Sequence, residues 1–213
     1  MSLLQRIGQR RSGLTFALLI VLSLIAAYLY HAFYSREPAE IALVIGEPYE
    51  AMRQRSSAKI SPPYDNSIGF RIPKTDARLR FTDPKYGFIT PPARFFTVSY
   101  NKGIIENVRM SPQIEPLLYD DAIKIVLNLQ DQWRKAGWRL TKIRERPALV
   151  NTPELRDSLR NMKGGAGTTY WQAGEQYQVM LGMARFKDDR HPDEERYLIT
   201  LAIAKPWVRN YSG

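Results

Sequence analysis

The chain has 213 residues, with 31 basic against 21 acidic, two histidines and no cysteine, for a formal charge of +10. That inventory excludes a thiolate nucleophile, a thiolate metal site and a dithiol redox pair. A histidine-rich zinc site is excluded too, since His31 and His191 are the whole supply of imidazole.

The first element is apolar. Residues 14–34 run 21 positions without Asp, Glu, Lys or Arg, and as a helix they would reach about 31 Å, close to the hydrocarbon thickness of a bilayer. From Phe16 to Leu29 the run is apolar all round apart from Ser23, unlike the one-sided stripe of a soluble helix. A cleaved export signal would have a shorter apolar region ending in small residues. Here Tyr28, Tyr30, Phe33 and Tyr34 close the run, as an interfacial aromatic belt does. A retained transmembrane anchor is therefore expected, with Leu14, Phe16, Leu19, Leu22, Leu24, Leu29 and Tyr34 meeting membrane lipid. Arg6, Arg10 and Arg11 precede the span without an acidic residue among them, which keeps residues 1–13 cytoplasmic.

Residues 35–42 then read as a linker and 43–213 as one exported domain, enough chain for one well-buried core. Lack of cysteine, and a lone glycosylation sequon at Asn210-Tyr211-Ser212, favour the periplasmic side of a bacterial inner membrane. Setting aside the three arginines leaves 28 basic against 21 acidic residues, a formal +7. Such a balance favours anionic neighbours such as phospholipid headgroups or envelope polymers.

Within the domain, "GEPYEAMRQRSS" predicts a short helix, capped by Gly46, with Pro48 in its first turn and Tyr49 and Met52 on one face. "IGFRIP" and "ARLRFT" alternate at period two and read as strands. "ARFFTVSYNKGIIENVRM" predicts a hairpin turning on a three-residue loop, Asn101-Lys102-Gly103, with Phe96, Val98 and Tyr100 on one side. The strongest helix pattern begins at "YDDAIKIV", capped by Asp120 or Asp121 and ended by Gly137, with Ala122, Val126, Leu129, Trp133 and Ala136 as its stripe. "WRLTKIRER" reads as a strand whose register slips between Leu140 and Ile143. "NTPELRDSLRNMKGG" reads as a short amphipathic helix capped by Thr152, with Leu155, Leu159 and Met162 as its stripe. Two long strands end the chain, with Val179, Leu181 and Met183 facing one way on the first and Ile199, Leu201 and Ile203 on the second. The expected fold is α+β: an antiparallel sheet packed with two or three helices, preceded by one N-terminal transmembrane helix.

Chemistry is sparse. His191 sits in "KDDRHPDEE", which a solvated hairpin tip explains; its spacing lacks the ligand pattern of a calcium loop. "MKGGAGTTYW" lacks the ending of a phosphate-binding loop and follows a helix instead of opening one, so it reads as a link to the next strand. Trp133 reads as core; Trp138, Trp171 and Trp207 read as core ahead of the alternative, an aromatic face for glycan or peptide. No catalytic, cofactor-binding or metal residue is assigned. The segment "ARLRFTDPKYGFITPPARFF" interleaves cations with aromatics, and Arg78, Arg80, Lys85, Tyr86, Phe88 and Arg94 are its candidate interaction surface; nucleic acid is not expected behind an outward-pointing anchor. The reading is thus a non-enzymatic, membrane-anchored protein that binds an envelope protein partner, as a complex subunit, adaptor or toxin-immunity-like protein. An anchored envelope hydrolase and an anionic-polymer-binding module are the alternatives.

Overall fold

A computed structural model describes residues 19–26, 37–161 and 167–208. The chain divides into two compact units, Met1–Glu37 and Pro38–Gly213. In the first, residues 19–26 form a helix (α1), on which Leu19, Leu22 and Leu24 are exposed. The rest of the stretch read as a span, with Leu14, Phe16, Leu29 and Tyr34, lies outside the described residues. Among the described residues no helix is long and apolar enough to cross a membrane.

The second unit is α+β with a mostly antiparallel sheet. Its elements are β1 (Glu40–Leu43), α2 (Tyr49–Arg55), β2 (Ile68–Arg71), β3 (Arg78–Phe81), β4 (Phe88–Ile89), β5 (Phe96–Asn101), β6 (Ile104–Met110), β7 (Leu117–Leu118), α3 (Tyr119–Lys135), β8 (Arg139–Thr141), α4 (Pro153–Arg160), β9 (Thr168–Ala173), β10 (Tyr177–Phe186) and β11 (Arg196–Ala204). β1 begins inside the stretch read as linker. The large sheet runs β2-β5-β6-β11-β10-β9-β8, with β7 added on β11, while β1, β3 and β4 make a small one. β1 pairs with β3 in parallel, a pairing that alternation alone did not announce.

Apolar alternation places the core. Val179, Leu181 and Met183 on β10 and Ile199, Leu201 and Ile203 on β11 are all buried, and α3 packs on these two strands through Ala122, Val126, Leu129 and Trp133. Burying each large side chain there contributes about 1.5–3 kcal/mol. α3 itself starts differently from expectation. Its N-cap is Leu118, without a side-chain cap bond, and Asp120 and Asp121 lie in the first turn, where their charge favours the helix dipole. Gly137 ends it at φ +81°.

In the β5–β6 hairpin, Asn101 pairs with Ile104, so the loop has two residues. Lys102 and Gly103 both have positive φ, the backbone that suits the twist of a tight hairpin. A bulge then shifts the register past Ser99 and Tyr100, which explains why Ile105 and Val108, three apart, are both buried. β8 is only three residues long because Lys142 adopts φ +53° and turns the chain, leaving Ile143 exposed. α4 follows the sequence expectation: the Thr152 hydroxyl accepts from the Leu155 amide at 3.2 Å, and Leu159 is buried. Met162 and Gly164 lie outside the described residues.

Two polar ties hold peripheral segments to this frame. Buried Gln130 on α3 donates to the Leu149 carbonyl and accepts from the Leu149 amide, both at 2.9 Å. Arg160 on α4 makes a two-pronged pair with Glu195, at 2.8 and 3.0 Å. Gln130→Ala would leave both main-chain groups of buried Leu149 without that partner, and a loss of about 3 kcal/mol is expected from urea unfolding.

The Arg160 guanidinium, helped by the Tyr197 hydroxyl and opposed by burial, brings the Glu195 carboxyl from its ordinary 4.5 down to about 2. A carboxyl depressed in the folded state stabilises fully above its unfolded value, and that contribution is lost as pH falls through the folded one. Glu195→Gln is therefore expected to be less stable than the parent at neutral pH. The gap in urea midpoint should close between about pH 4.5 and pH 2.

Candidate functional site

The six residues of the expected interaction surface do not form one surface. On β3, Arg78 and Arg80 alternate with buried Leu79 and Phe81, and both arginines close on Glu40 of β1, at 3.0 and 2.6 Å. Burial pushes the Glu40 carboxyl up, but hydrogen bonds from Arg80 and Arg78 outweigh it and hold the group below its ordinary range. Arg94 lies 3.5 Å from Asp76. Phe88 is core, its ring packed edge-on against Trp133 and Trp138. Alternation in β3 and burial in β4 thus explain three of the six, and the contact with Asp76 explains Arg94. Only Lys85 and Tyr86 remain together.

They sit on a rigid turn. Asp83 accepts from the Lys85 amide at 2.9 Å and the Tyr86 amide at 2.8 Å, and its other oxygen accepts from the Tyr177 hydroxyl at 3.0 Å. Burial first, and then this bond to Asp83, push the Tyr177 hydroxyl up to about 12, so it stays a donor. The indole of Trp138 donates to the Tyr86 carbonyl at 3.0 Å and fixes the far end of the turn. Both backbone ends being held, the Lys85 ammonium is positioned 5.0 Å from the centre of the Tyr86 ring, a cation–π contact.

Facing this turn is the edge of the large sheet. Gly137 swings the chain from α3 into β8, placing Arg139 and Thr141 beside Gln172 of β9 and Gly174 of the following turn. Together these residues enclose an open cleft of about 420 Å³. Among the described residues neither Lys85 nor Arg139 has an ion-pair partner, and no acidic side chain lines the cleft. Two cations with no carboxylate in the lining favour an anionic occupant. β8 has β9 on one side and no strand on the other. The lining supplies the cations of Lys85 and Arg139, the hydroxyls of Tyr86 and Thr141 and the amide of Gln172, with neither carboxylate nor imidazole among them, so this cleft can hold an anion.

Sequence reasoning missed Arg139, Thr141 and Gln172. Nothing in their spacing joins them to Lys85; the nearest signals were Gly137, singled out as a helix stop, and Gly174, at φ +54°. Other singled-out motifs are structural. Asp188 in "KDDRHPDEE" is buried and is held well below the carboxylate range by Arg190 and then by His191, whose Nδ1 lies 3.0 Å away. Residues 162–166 of the glycine-rich stretch lie outside the described residues, and Gly167, at φ +78°, leaves no room for a Cβ beside the Met183 carbonyl. Trp133, Trp138 and Trp171 are buried, whereas Trp207 is exposed. No group of three or more His, Asp or Glu that could hold a metal ion occurs among the described residues.

Since Lys85 and Arg139 hold no ion pair in the fold, the double substitution Lys85→Ala/Arg139→Ala is expected to shift stability by no more than about 0.5 kcal/mol. Glu40→Ala, which removes the carboxylate shared by Arg78 and Arg80, is expected to cost about 1 kcal/mol in the same urea titration. No protein family, curated protein or solved structure matches the chain, so the reading of the cleft rests on its geometry.

Proposed function

We propose that the chain is a single-pass inner-membrane protein, anchored through residues 14–34, whose exported domain acts by binding an envelope protein partner. The observation that carries this reading is the pair of unneutralised cations, Lys85 and Arg139, beside the free edge of β8. An edge strand offers main-chain donors and acceptors to an added extended segment, and side-chain pockets beside it supply the selectivity. Two cations select for acidic side chains in that segment. The role is that of an envelope-complex subunit, an adaptor, or an immunity-like protein that occupies a toxin.

The same cations also fit an anionic envelope polymer. A polymer would be held by charge alone and released steeply by salt, whereas a segment paired on β8 keeps its main-chain hydrogen bonds.

The test is quantitative co-purification of the full chain from native membranes in mild detergent. A stoichiometric protein partner is expected both for the parent and for a version whose residues 14–34 are replaced by an unrelated span. Lys85→Glu/Arg139→Glu is expected to lose that partner at least tenfold, since two like charges now face the acidic segment. A partner retained by this variant, or lost on the span swap, would remove the cleft from the function.

A further inference from the structure

A second basic pocket lies where the chain enters the folded unit. It has a volume of about 290 Å³ and is lined by Arg53 from α2, by Ser57, Lys59 and Ser61 from the segment after it, and by Lys74 from the loop before β3. Its wall is joined to the first strand residue: the Glu40 amide donates to the Ser57 hydroxyl at 2.9 Å, and the Glu40 carbonyl accepts from the Ala58 amide at 2.9 Å. Lys74 is brought in by its own amide, which donates to the Lys59 carbonyl at 2.8 Å. Arg53 is held by Glu50 and by the Ile60 carbonyl. Lys59 and Lys74 have no ion-pair partner among the described residues, and no acidic residue lines the pocket.

An apolar stripe starts two residues before Lys74. Ile72, Phe70 and Ile68 are 52, 56 and 76% exposed, and Tyr64 is 67% exposed with the Arg71 guanidinium 3.8 Å above its ring. β2 carries Ile68 and Phe70 opposite Asn101 and Ser99 of β5, on the face away from buried Tyr100. A run of large apolar side chains exposed on one face marks a surface that meets something besides water.

Chain length says what meets it. Five residues separate Tyr34 from Glu40, and six extended steps reach at most about 20 Å. Resting on the anchor reading above, this places Glu40, and the pocket joined to it, within reach of the headgroup region.

We infer that this corner of the domain is a membrane-contact site: the Arg53–Lys59–Lys74 pocket takes the phosphate of an anionic phospholipid, and Ile72, Phe70 and Tyr64 enter the interface beside it. Basic residues near an anionic surface are drawn to it, and aromatic rings favour the headgroup level. The pocket therefore orients the domain on the bilayer, while the Lys85–Arg139 cleft serves the partner.

The chain has no cysteine, so one introduced thiol reports alone. Full chain carrying Ile72→Cys, labelled with an environment-sensitive fluorophore, is reconstituted into nanodiscs of phosphatidylcholine or of phosphatidylcholine mixed with phosphatidylglycerol. The expected result is a blue shift and quenching by lipid-borne spin labels in the anionic discs, a smaller response in neutral discs, and loss of the response in Lys59→Glu/Lys74→Glu. A control label at Lys187→Cys is expected to stay water-like throughout, and the unfolding midpoint shows that the charge-reversed variant is folded. A chain that enters discs while the Ile72 label stays water-like, or responds equally in neutral discs, overturns the inference and leaves the anchor standing. A chain that fails to enter discs overturns the anchor reading instead.

Discussion

Side-chain amides standing in for peptide groups hold the irregular parts of this fold to its regular frame. Gln130 closes a two-way bond with the main chain of Leu149 from inside α3, and Gln132, two residues on and pointing the other way, does the same with Ile89 of β4 at 2.9 Å in both directions. Gln113 accepts from the Ile199 amide and donates to the Tyr197 carbonyl on β11, and Gln178 on β10 accepts from Val208 and donates back to its carbonyl. Each glutamine presents one donor and one acceptor in the geometry of a strand neighbour. Without Gln130 the segment at Leu149 would bury an unpaired amide and carbonyl. The short strands and long connections of the chain are tolerable because these amides finish what the sheets leave open.

That dependence also sets what could be read from the residues. Alternation told β10, β11 and the β5–β6 hairpin apart from their surroundings because Val179, Leu181 and Met183, or Phe96, Val98 and Tyr100, advertise a buried face at period two. The stripe of α3 did the same at period 3.6. A glutamine that is fully buried, by contrast, looks like any polar residue on a solvated face, and Gln130 and Gln178 carry no signal of their own. Lys142 gave no warning of its left-handed backbone, so the end of β8 was legible only as a slip in register. The parallel pairing of β1 with β3 is a long-range choice that neither four-residue strand encodes locally.

The cleft was half legible for a related reason. Lys85 and Tyr86 stood out in a basic-aromatic run, but the run mixed three environments: Arg78 and Arg80 answer to Glu40, Phe88 belongs to the aromatic cluster around Trp133 and Trp138, and only the Asp83 turn reaches the rim. Its partners across the cleft come from the first strand after α3 and from β9, more than fifty residues on. The fold places them together because the aromatic cluster of Phe81, Phe88, Trp138 and Tyr177 fills the seam between the small sheet and the large one. Rings packed edge to face cement that seam below, and charge is left at its mouth.

The parallel ladder of β1 and β3 has a mechanical consequence. The chain enters the folded unit through β1, whose four residues are matched to Arg78, Leu79, Arg80 and Phe81 and locked at the first position by Glu40 between two guanidiniums. A strand joined to its neighbour by a hairpin can be peeled open from the turn one rung at a time. β1 has no such turn with β3, so tension applied along the chain at Glu40 loads the four rungs in shear and the ionic lock with them. Under a load directed along β1 those rungs resist together, where those of a hairpin would resist one at a time.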